Sequence, residues 1–268
     1  MAIQNPTPSA FHRRYLFFDY DGTLRSRTYD RIPESTRHAL DLLRRKGHLV
    51  ALATGRAQMD ALDLISPTGI DTMVADGGNS ITLDGKLIWL EGMPAEPCHR
   101  LMRWLDANGW AWAVNVENKR TCITKSGAYQ QAIPNPYYSV AIDPGFDIDK
   151  LDFISKIFIA CPTGEEKNID FGGVTWARYY QAQVLCEPTD KARGIRKMME
   201  LLHAPLEDVI VFGDGTNDLA MFSTEWTSVA MGNAIDELKE KATFVTNSVN
   251  DNGIYRACVR LGLIEEGE

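Results

Sequence analysis

The sequence predicts an α/β core carried in two pieces of the chain, with an α+β cap inserted between them. Three observations lead there. Short apolar runs alternate with amphipathic stretches near both ends of the chain, the pattern of a parallel sheet with crossover helices. Between about Ser80 and Glu187 that alternation gives way to hairpin signals. Three of the polar clusters in the outer pieces directly follow an apolar run, and parallel sheets bind ligands outside their carboxyl strand ends.

Taken in order, Tyr15-Leu16-Phe17-Phe18 is a short strand that stops at a carboxylate. Ile32 to Lys46 is amphipathic, with Leu40, Leu42 and Leu43 on or near one face, and Gly47 follows as a helix C-cap. Leu49 to Ala53 is a continuous apolar run, as expected of a strand buried on both faces. Thr72 to Ala75 is a third strand. In the middle section, Ile81-Thr82-Leu83 and Lys86 to Trp89 flank Asp84-Gly85, a pair suited to a type I′ hairpin turn. Pro94 to Asn108 is predicted helical, with Leu101, Trp104 and Leu105 at the apolar spacing. Two strands are expected around Asn118-Lys119, and two more at Lys156 to Ala160 and Val174 to Tyr180. Past Lys191 a helix runs to His203, and Val209 to Phe212 is a strand ending at Gly213-Asp214. A helix around Asp218 to Phe222 and shorter elements follow. The expected division is therefore 1–79 core, 80–187 cap and 188–268 core.

Composition narrows the function. The 28 Lys and Arg against 36 Asp and Glu leave a net charge of −8, without the basic footprint of a general nucleic-acid or membrane-surface binder. No apolar run approaches the length of about 18 residues that spans a bilayer. Met1 to Arg14 holds Pro6, Pro8 and the pair Arg13 and Arg14, but no apolar core of signal-peptide length. The five cysteines (Cys98, Cys122, Cys161, Cys186, Cys258) are odd in number, widely spaced and free of CxxC or zinc spacing. Reduced thiols in a cytoplasmic protein are expected, with no nucleic-acid or membrane partner, as a monomer or weak homodimer.

The chemistry gathers in four places. Asp19-Tyr20-Asp21-Gly22-Thr23 follows the first strand, Thr54-Gly55-Arg56 the second, and Gly213-Asp214-Gly215-Thr216-Asn217-Asp218 the strand after Lys191. Four acids on one rim repel one another unless a cation joins them, and oxygen-only ligands favour Mg²⁺ over zinc. A carboxylate can attack phosphorus and form an aspartyl phosphate. A second acid two residues on can protonate the leaving group and later activate water. A hydroxyl and a lysine can hold the phosphoryl oxygens. Each cluster alone is weak, since Asp-x-Asp-Gly is common in turns and a single lysine at a helix start is usually solvated. Their joint occurrence in this order is the signal.

Phe17 to Leu24 (FFDYDGTL), Ala53-Thr54-Gly55-Arg56, Lys191 and Phe212 to Asp218 resemble the four motifs of the haloacid dehalogenase superfamily. Val229 to Ala234 and Asn252-Gly253-Ile254 are similar to its Cof-type sugar-phosphatase group, which carries a large α/β cap. The resemblance implies a Rossmann-like parallel sheet with helices on both faces. It implies a Mg²⁺-dependent phosphomonoester hydrolase acting on a small phosphorylated metabolite such as a sugar phosphate. Residue by residue, it implies Asp19 as nucleophile and metal ligand, and Asp21 as general acid/base with its carbonyl on the metal. Thr54, the Gly55 amide, Lys191 and Asn217 would bind phosphate, Asp214 the metal, and Asp218 would stand in or next to the metal shell. Departures are Asp76-Gly77-Gly78-Asn79 where Asn-Gly is frequent, Tyr20 between the two acids, and Thr189-Asp190 before the lysine.

A phosphomutase or phosphotransferase could use the same phosphoaspartate, and a non-catalytic phosphate-ligand sensor could use the same fold. Retention of Asp19, Asp21 and Asp214 disfavours the sensor. The aromatic residues Trp104, Trp110, Trp112, Trp176, Tyr179 and Tyr180 are expected mostly as cap core, with a substrate wall as the sharper alternative. Arg25 and Arg27 either reach an anionic substrate or solvate a loop. The turn Glu117-Asn118-Lys119-Arg120 is a candidate to approach the site, and the five histidines occupy no motif.

Overall fold

A computed structural model describes residues 12–180 and 182–268. The expectation for Met1 to Arg14 therefore falls almost wholly outside the described residues. The chain opens with strand β1 (Tyr15–Phe18), helix α1 (Glu34–Arg45) and strand β2 (Leu49–Ala53). Two single turns of helix, α2 (Gln58–Ala61) and α3 (Ile65–Thr68), lead to β3 (Met73–Ala75). The hairpin β4 (Ser80–Leu83) and β5 (Lys86–Leu90) follows. Its turn residues Asp84 and Gly85 both have positive φ, as type I′ requires.

Next come α4 (Ala95–Ala107), β6 (Trp112–Asn115), β7 (Thr121–Thr124), α5 (Ala128–Ala132) and β8 (Ser139–Ile142). Strands β9 (Lys156–Ala160), β10 (Trp176–Arg178) and β11 (Gln183–Cys186) complete this section. The last piece holds α6 (Lys191–Leu201), β12 (Val209–Gly213), β13 (Thr227–Ala230), α7 (Asp236–Lys241), β14 (Phe244–Val245) and α8 (Gly253–Arg260). The segment expected as a helix at Asp218 to Phe222 is a 3₁₀ stretch, Thr216–Met221.

Two sheets result. The larger runs β14-β13-β12-β1-β2-β3-β4-β5, parallel from β14 to β3 and antiparallel at β4 and β5. The hairpin was expected in the inserted module, and its place is a correction: Met73 to Ala75 pair with Ser80 to Thr82, which extends the first sheet. A tight turn after β3 puts an antiparallel strand on the open sheet edge before the chain leaves. The smaller sheet runs β10-β11-β9-β6-β7-β8 and is antiparallel except for the parallel pair β7 and β8.

Alternation along the core strands feeds both faces. Leu16 and Phe18 join Leu40, Leu43, Ile254 and Ala257 under α1 and α8. Phe17, Ala51 and Val211 join Ala192, Ile195 and Met198 under α6. The smaller sheet is covered on one face by α4, through Leu101, Met102 and Leu105. Its other face carries Phe158, Leu185 and Tyr138, with Met59 of the larger unit packed against them. Among the described residues no helix is long and apolar enough to cross a membrane. All five cysteines are free and buried.

Candidate active site

Strands β1, β2 and β12 are neighbours, and chain order reverses between β1 and β12, so loops leaving their carboxyl ends diverge around a crevice. Asp19 follows β1 and extends the ladder, its N–H donating to the Phe212 carbonyl at 3.0 Å. Asp214 follows β12. Gly22 has φ near +97°, and a Cβ there would strike the Asp214 carboxylate, so only glycine lets the first loop lie against it.

Lys191, the first residue of α6, is 1% exposed. Its ammonium donates to Asp19 Oδ1 at 2.7 Å and Asp218 Oδ1 at 2.6 Å. The other oxygen of Asp218 accepts from the Asp214 and Gly215 amides, both at 2.9 Å. Both oxygens of Asp218 are therefore engaged, and it braces the lysine and the loop. Carboxylate oxygens of Asp19, Asp214 and Asp218 lie within 4.8 Å of one another. An all-oxygen, acidic set of this size suits a hard divalent cation.

Electrostatics follow from that crowding. Burial raises the Asp19 carboxyl to about 7, with Asp218 adding to the rise and Lys191 opposing it. Burial raises Asp214 to about 6, opposed by Arg27 and helped by Asp218. For Lys191, burial lowers the pKa, but the two carboxylates outweigh it and hold the ammonium charged.

Asp21 stands apart from the cluster. Its carboxylate accepts from Arg25 at 2.6 Å and from Arg56 at 2.9 Å, and its carbonyl oxygen accepts from Arg27. Burial raises its pKa, but the two guanidiniums outweigh that and leave it lowered. Arg25 and Arg27 thus serve the site's own acids, Arg27 also lying 3.5 Å from Asp214. Thr54 is buried and its hydroxyl oxygen accepts the Arg56 amide at 3.2 Å. Gly55 and Asn217 line the same cleft as Asp19, Asp21 and Thr54.

That cleft, about 670 Å³, lies between the sheets. Its far wall is Tyr137, Tyr138, Lys156, Phe158, Arg178 and Tyr179, all from the section holding the smaller sheet. Tyr179 and Tyr180 line it, whereas Trp112 is buried and donates to Asp106 at 2.9 Å. Trp104 and Trp110 pack on the α4 cluster, and Trp176 stacks on Phe171 beside a second recess next to Asp214. The turn 117–120 divides: Glu117 and Lys119 pair with each other, while Asn118 donates to Gln58 at 2.7 Å and Arg120 to Asp60 at 2.8 Å. No histidine lines either recess among the described residues.

Sequence reasoning gave no role to Lys156, Arg178, Tyr137 or Asn233. Asn233 donates to the Gly22 carbonyl at 2.8 Å and accepts from the Val249 amide at 2.8 Å, tying three loops beside Asp214. Its segment, Val229 to Ala234, was the available signal. Asp76, at the atypical third strand end, accepts from the Gln58 amide at 2.8 Å and the Ser155 hydroxyl at 3.3 Å, so this loop is a joint between the two units.

Comparison with known proteins places this geometry among relatives. Residues 16–258 match the family profile described as haloacid dehalogenase-like hydrolase. The chain is 32% identical to "Putative phosphatase YkrA" of Bacillus subtilis, over 94% of this chain and 99% of that one. A hypothetical protein of Geobacillus kaustophilus superposes with a TM-score of 0.78 at 30% identity, covering 94% of this chain and all of the other. A subclass IIB sugar phosphatase of the haloacid dehalogenase superfamily superposes with a TM-score of 0.73 at 24% identity, again over 94% of this chain and 100% of that one.

Proposed function

Since the chain belongs to the haloacid dehalogenase-like hydrolases and is a phosphatase, we propose that it hydrolyses a small phosphorylated metabolite, sugar phosphates first among them, through an aspartyl phosphate on Asp19. The observation that carries this is the pairing of Asp19 with Lys191. One carboxylate oxygen is held by the ammonium, and the other has no donor among the described residues while the group lines the cleft. A nucleophile fixed by one oxygen and open at the other is placed for in-line attack.

In the first step an Asp19 oxygen bonds to phosphorus as the bond to the leaving oxygen breaks, and Asp21 supplies the proton that oxygen needs. In the second step Asp21 takes a proton from water, which attacks the same phosphorus and frees Asp19. Thr54, the Gly55 amide, Lys191 and Asn217 hold the phosphoryl oxygens. The arginines on Asp21 favour its ionised form, the state required for the second step. The proton it passes to the leaving oxygen in the first step is therefore one it takes up from solvent or from a monoanionic phosphate ester on binding. Mg²⁺ fits the oxygen cluster; Asp19 and Asp214 would hold it, with the Asp21 carbonyl, and Asp218 would brace them. When bound it offsets the charge shared by the acids and the phosphoryl group.

The test is a screen of phosphorylated metabolites read by released phosphate, with and without Mg²⁺, on the wild type and on Asp19→Asn. Metal-dependent release that the variant abolishes is expected. Release that persists in Asp19→Asn rules out the aspartyl phosphate at this residue. Product analysis with an acceptor sugar present separates a hydrolase from a phosphotransferase.

A further inference from the structure

Lys156 opens β9 in the smaller sheet, yet its ammonium is buried where that sheet meets the core. It pairs with Glu187, which follows β11 on the return crossing to α6. It also donates to the Gly55 carbonyl oxygen at 3.3 Å, across the cleft. An ammonium has three donors and no acceptor, and burying it costs several kcal/mol unless it is paired. Its place therefore depends on Gly55 and Glu187 both being present.

The carbonyls flanking that of Gly55 are held by the core, that of Thr54 accepting from the Gly77 amide at 3.2 Å and that of Arg56 from the Asp76 amide at 2.7 Å. The carbonyl of the Gly55–Arg56 peptide between them has Lys156 as its one donor among the described residues. That peptide is planar, with its carbonyl and its N–H pointing opposite ways. Holding the Gly55 carbonyl therefore also aims the Arg56 N–H, which donates to Thr54 Oγ1 at 3.2 Å. With a lone pair of that hydroxyl occupied by the amide, its own proton is left to donate elsewhere. A chain of three contacts thus links a residue of the smaller sheet to the threonine of the phosphate-binding loop.

We propose that Lys156 is a positioning residue through which the seating of the smaller sheet sets the phosphate-binding loop: anchored on Glu187, it holds the Gly55–Arg56 peptide so that the Thr54 hydroxyl faces the phosphoryl group. This rests on the hydrolase reading above and adds to it a residue that acts on the phosphoryl end from the far side of the cleft. The consequence is specific. Loss of Lys156 weakens every phosphoryl ligand by one factor, whatever its leaving group, because the disturbed group sees only phosphoryl oxygens.

The experiment uses the full chain as Lys156→Met and Lys156→Arg, with the double variant Lys156→Gln/Glu187→Gln, which leaves no lone buried charge should the single variant fail to fold. Inhibition by inorganic phosphate is measured beside KM and kcat for a generic aryl phosphate and a hexose phosphate, with melting temperature as a control. Lys156→Met and the double variant are expected to raise the phosphate inhibition constant and both KM values together, by about tenfold, the scale of one lost charge-assisted hydrogen bond. Lys156→Arg is expected to recover most of that loss. An unchanged phosphate inhibition constant with a lower melting temperature would reduce Lys156 to structural support. A rise confined to the hexose phosphate would make it a leaving-group contact. Either result overturns the proposal while the wild-type activity stands. A wild type that neither hydrolyses any ester nor binds phosphate overturns the functional reading together with it.

Discussion

Burial and the nearby Asp218 carboxylate hold the Asp19 carboxyl at about 7, and burial holds Asp214 at about 6, against an ordinary value of 3.8. Between pH 4 and 7 the folded chain then binds more protons at these sites than the unfolded chain does. Its stability must fall as pH rises through that window, since stability rises with pH only where the unfolded state binds more. The chelated protein is expected to lose melting temperature from pH 5 to pH 8, and millimolar Mg²⁺ to restore it chiefly at the upper end. A flat profile, or an equal metal effect at pH 5, would remove the acid cluster as the metal site. Asp19→Asn relieves the same repulsion. It is expected to cut turnover by roughly three orders of magnitude or more, while raising the melting temperature of the metal-free protein. These acids were legible in the sequence because each motif is short and local. Lys156, Arg178 and Tyr137 were not, since each reaches the cleft from a different loop or strand and no spacing links them.

Helix α6 must present Lys191 at its first turn, and its seat is tight. The Asp190 side chain caps it by accepting the Arg193 amide at 3.1 Å. At Gly194 an added Cβ would meet the Val74 side chain and lie 2.8 Å from the Gly78 carbonyl oxygen. Gly194→Ala gains about 1 kcal/mol in helix propensity, but overpacking a closed interface costs about 1–3 kcal/mol. A net loss in urea unfolding is therefore expected, along with reduced activity as the lysine is displaced. A more stable, fully active variant would show that the helix moves away freely. Element by element, β1, β2, β3 and β12 were readable because they are apolar on both faces. The short core strands β13, polar at Thr227 and Ser228, and β14, of two residues, were passed over. Strand β8 was missed as well, since Ser139–Ile142 is largely exposed and shows no alternation of buried and open positions. The hairpin was recognised as a hairpin, but its sheet was misassigned. Local turn chemistry says nothing about which edge a hairpin will join.

Between the two units the contacts are polar and numerous: Arg120 on Asp60, Asn118 on Gln58, Tyr138 on Asp60, and Ser155 on Asp76. Tyrosines line one side of the cleft they enclose and the core acids the other, so in the proposed reaction the leaving group would meet the tyrosines and the phosphoryl group the core. Tyr137→Ala and Tyr179→Ala are expected to reorder kcat/KM among sugar phosphates while sparing a small aryl phosphate, because the core sees only the phosphoryl end. Trp112→Ala is expected to act on stability alone, by about 3–5 kcal/mol, the range for emptying a buried aromatic site. A common factor across all substrates for the tyrosines would make them packing instead. The central strand has a further consequence, for how the molecule is made. Tyr15 in β1 pairs with Val209 in β12, across the whole second sheet in chain order. At roughly 5–20 residues per second of synthesis, one edge of β1 waits on the order of ten seconds or longer for its partner. All that while, an apolar strand with unsatisfied amides stands open to other nascent chains. A fragment ending at Glu187 should therefore aggregate where the full chain stays in solution, and refolding of the full chain should be slow and favoured by dilution.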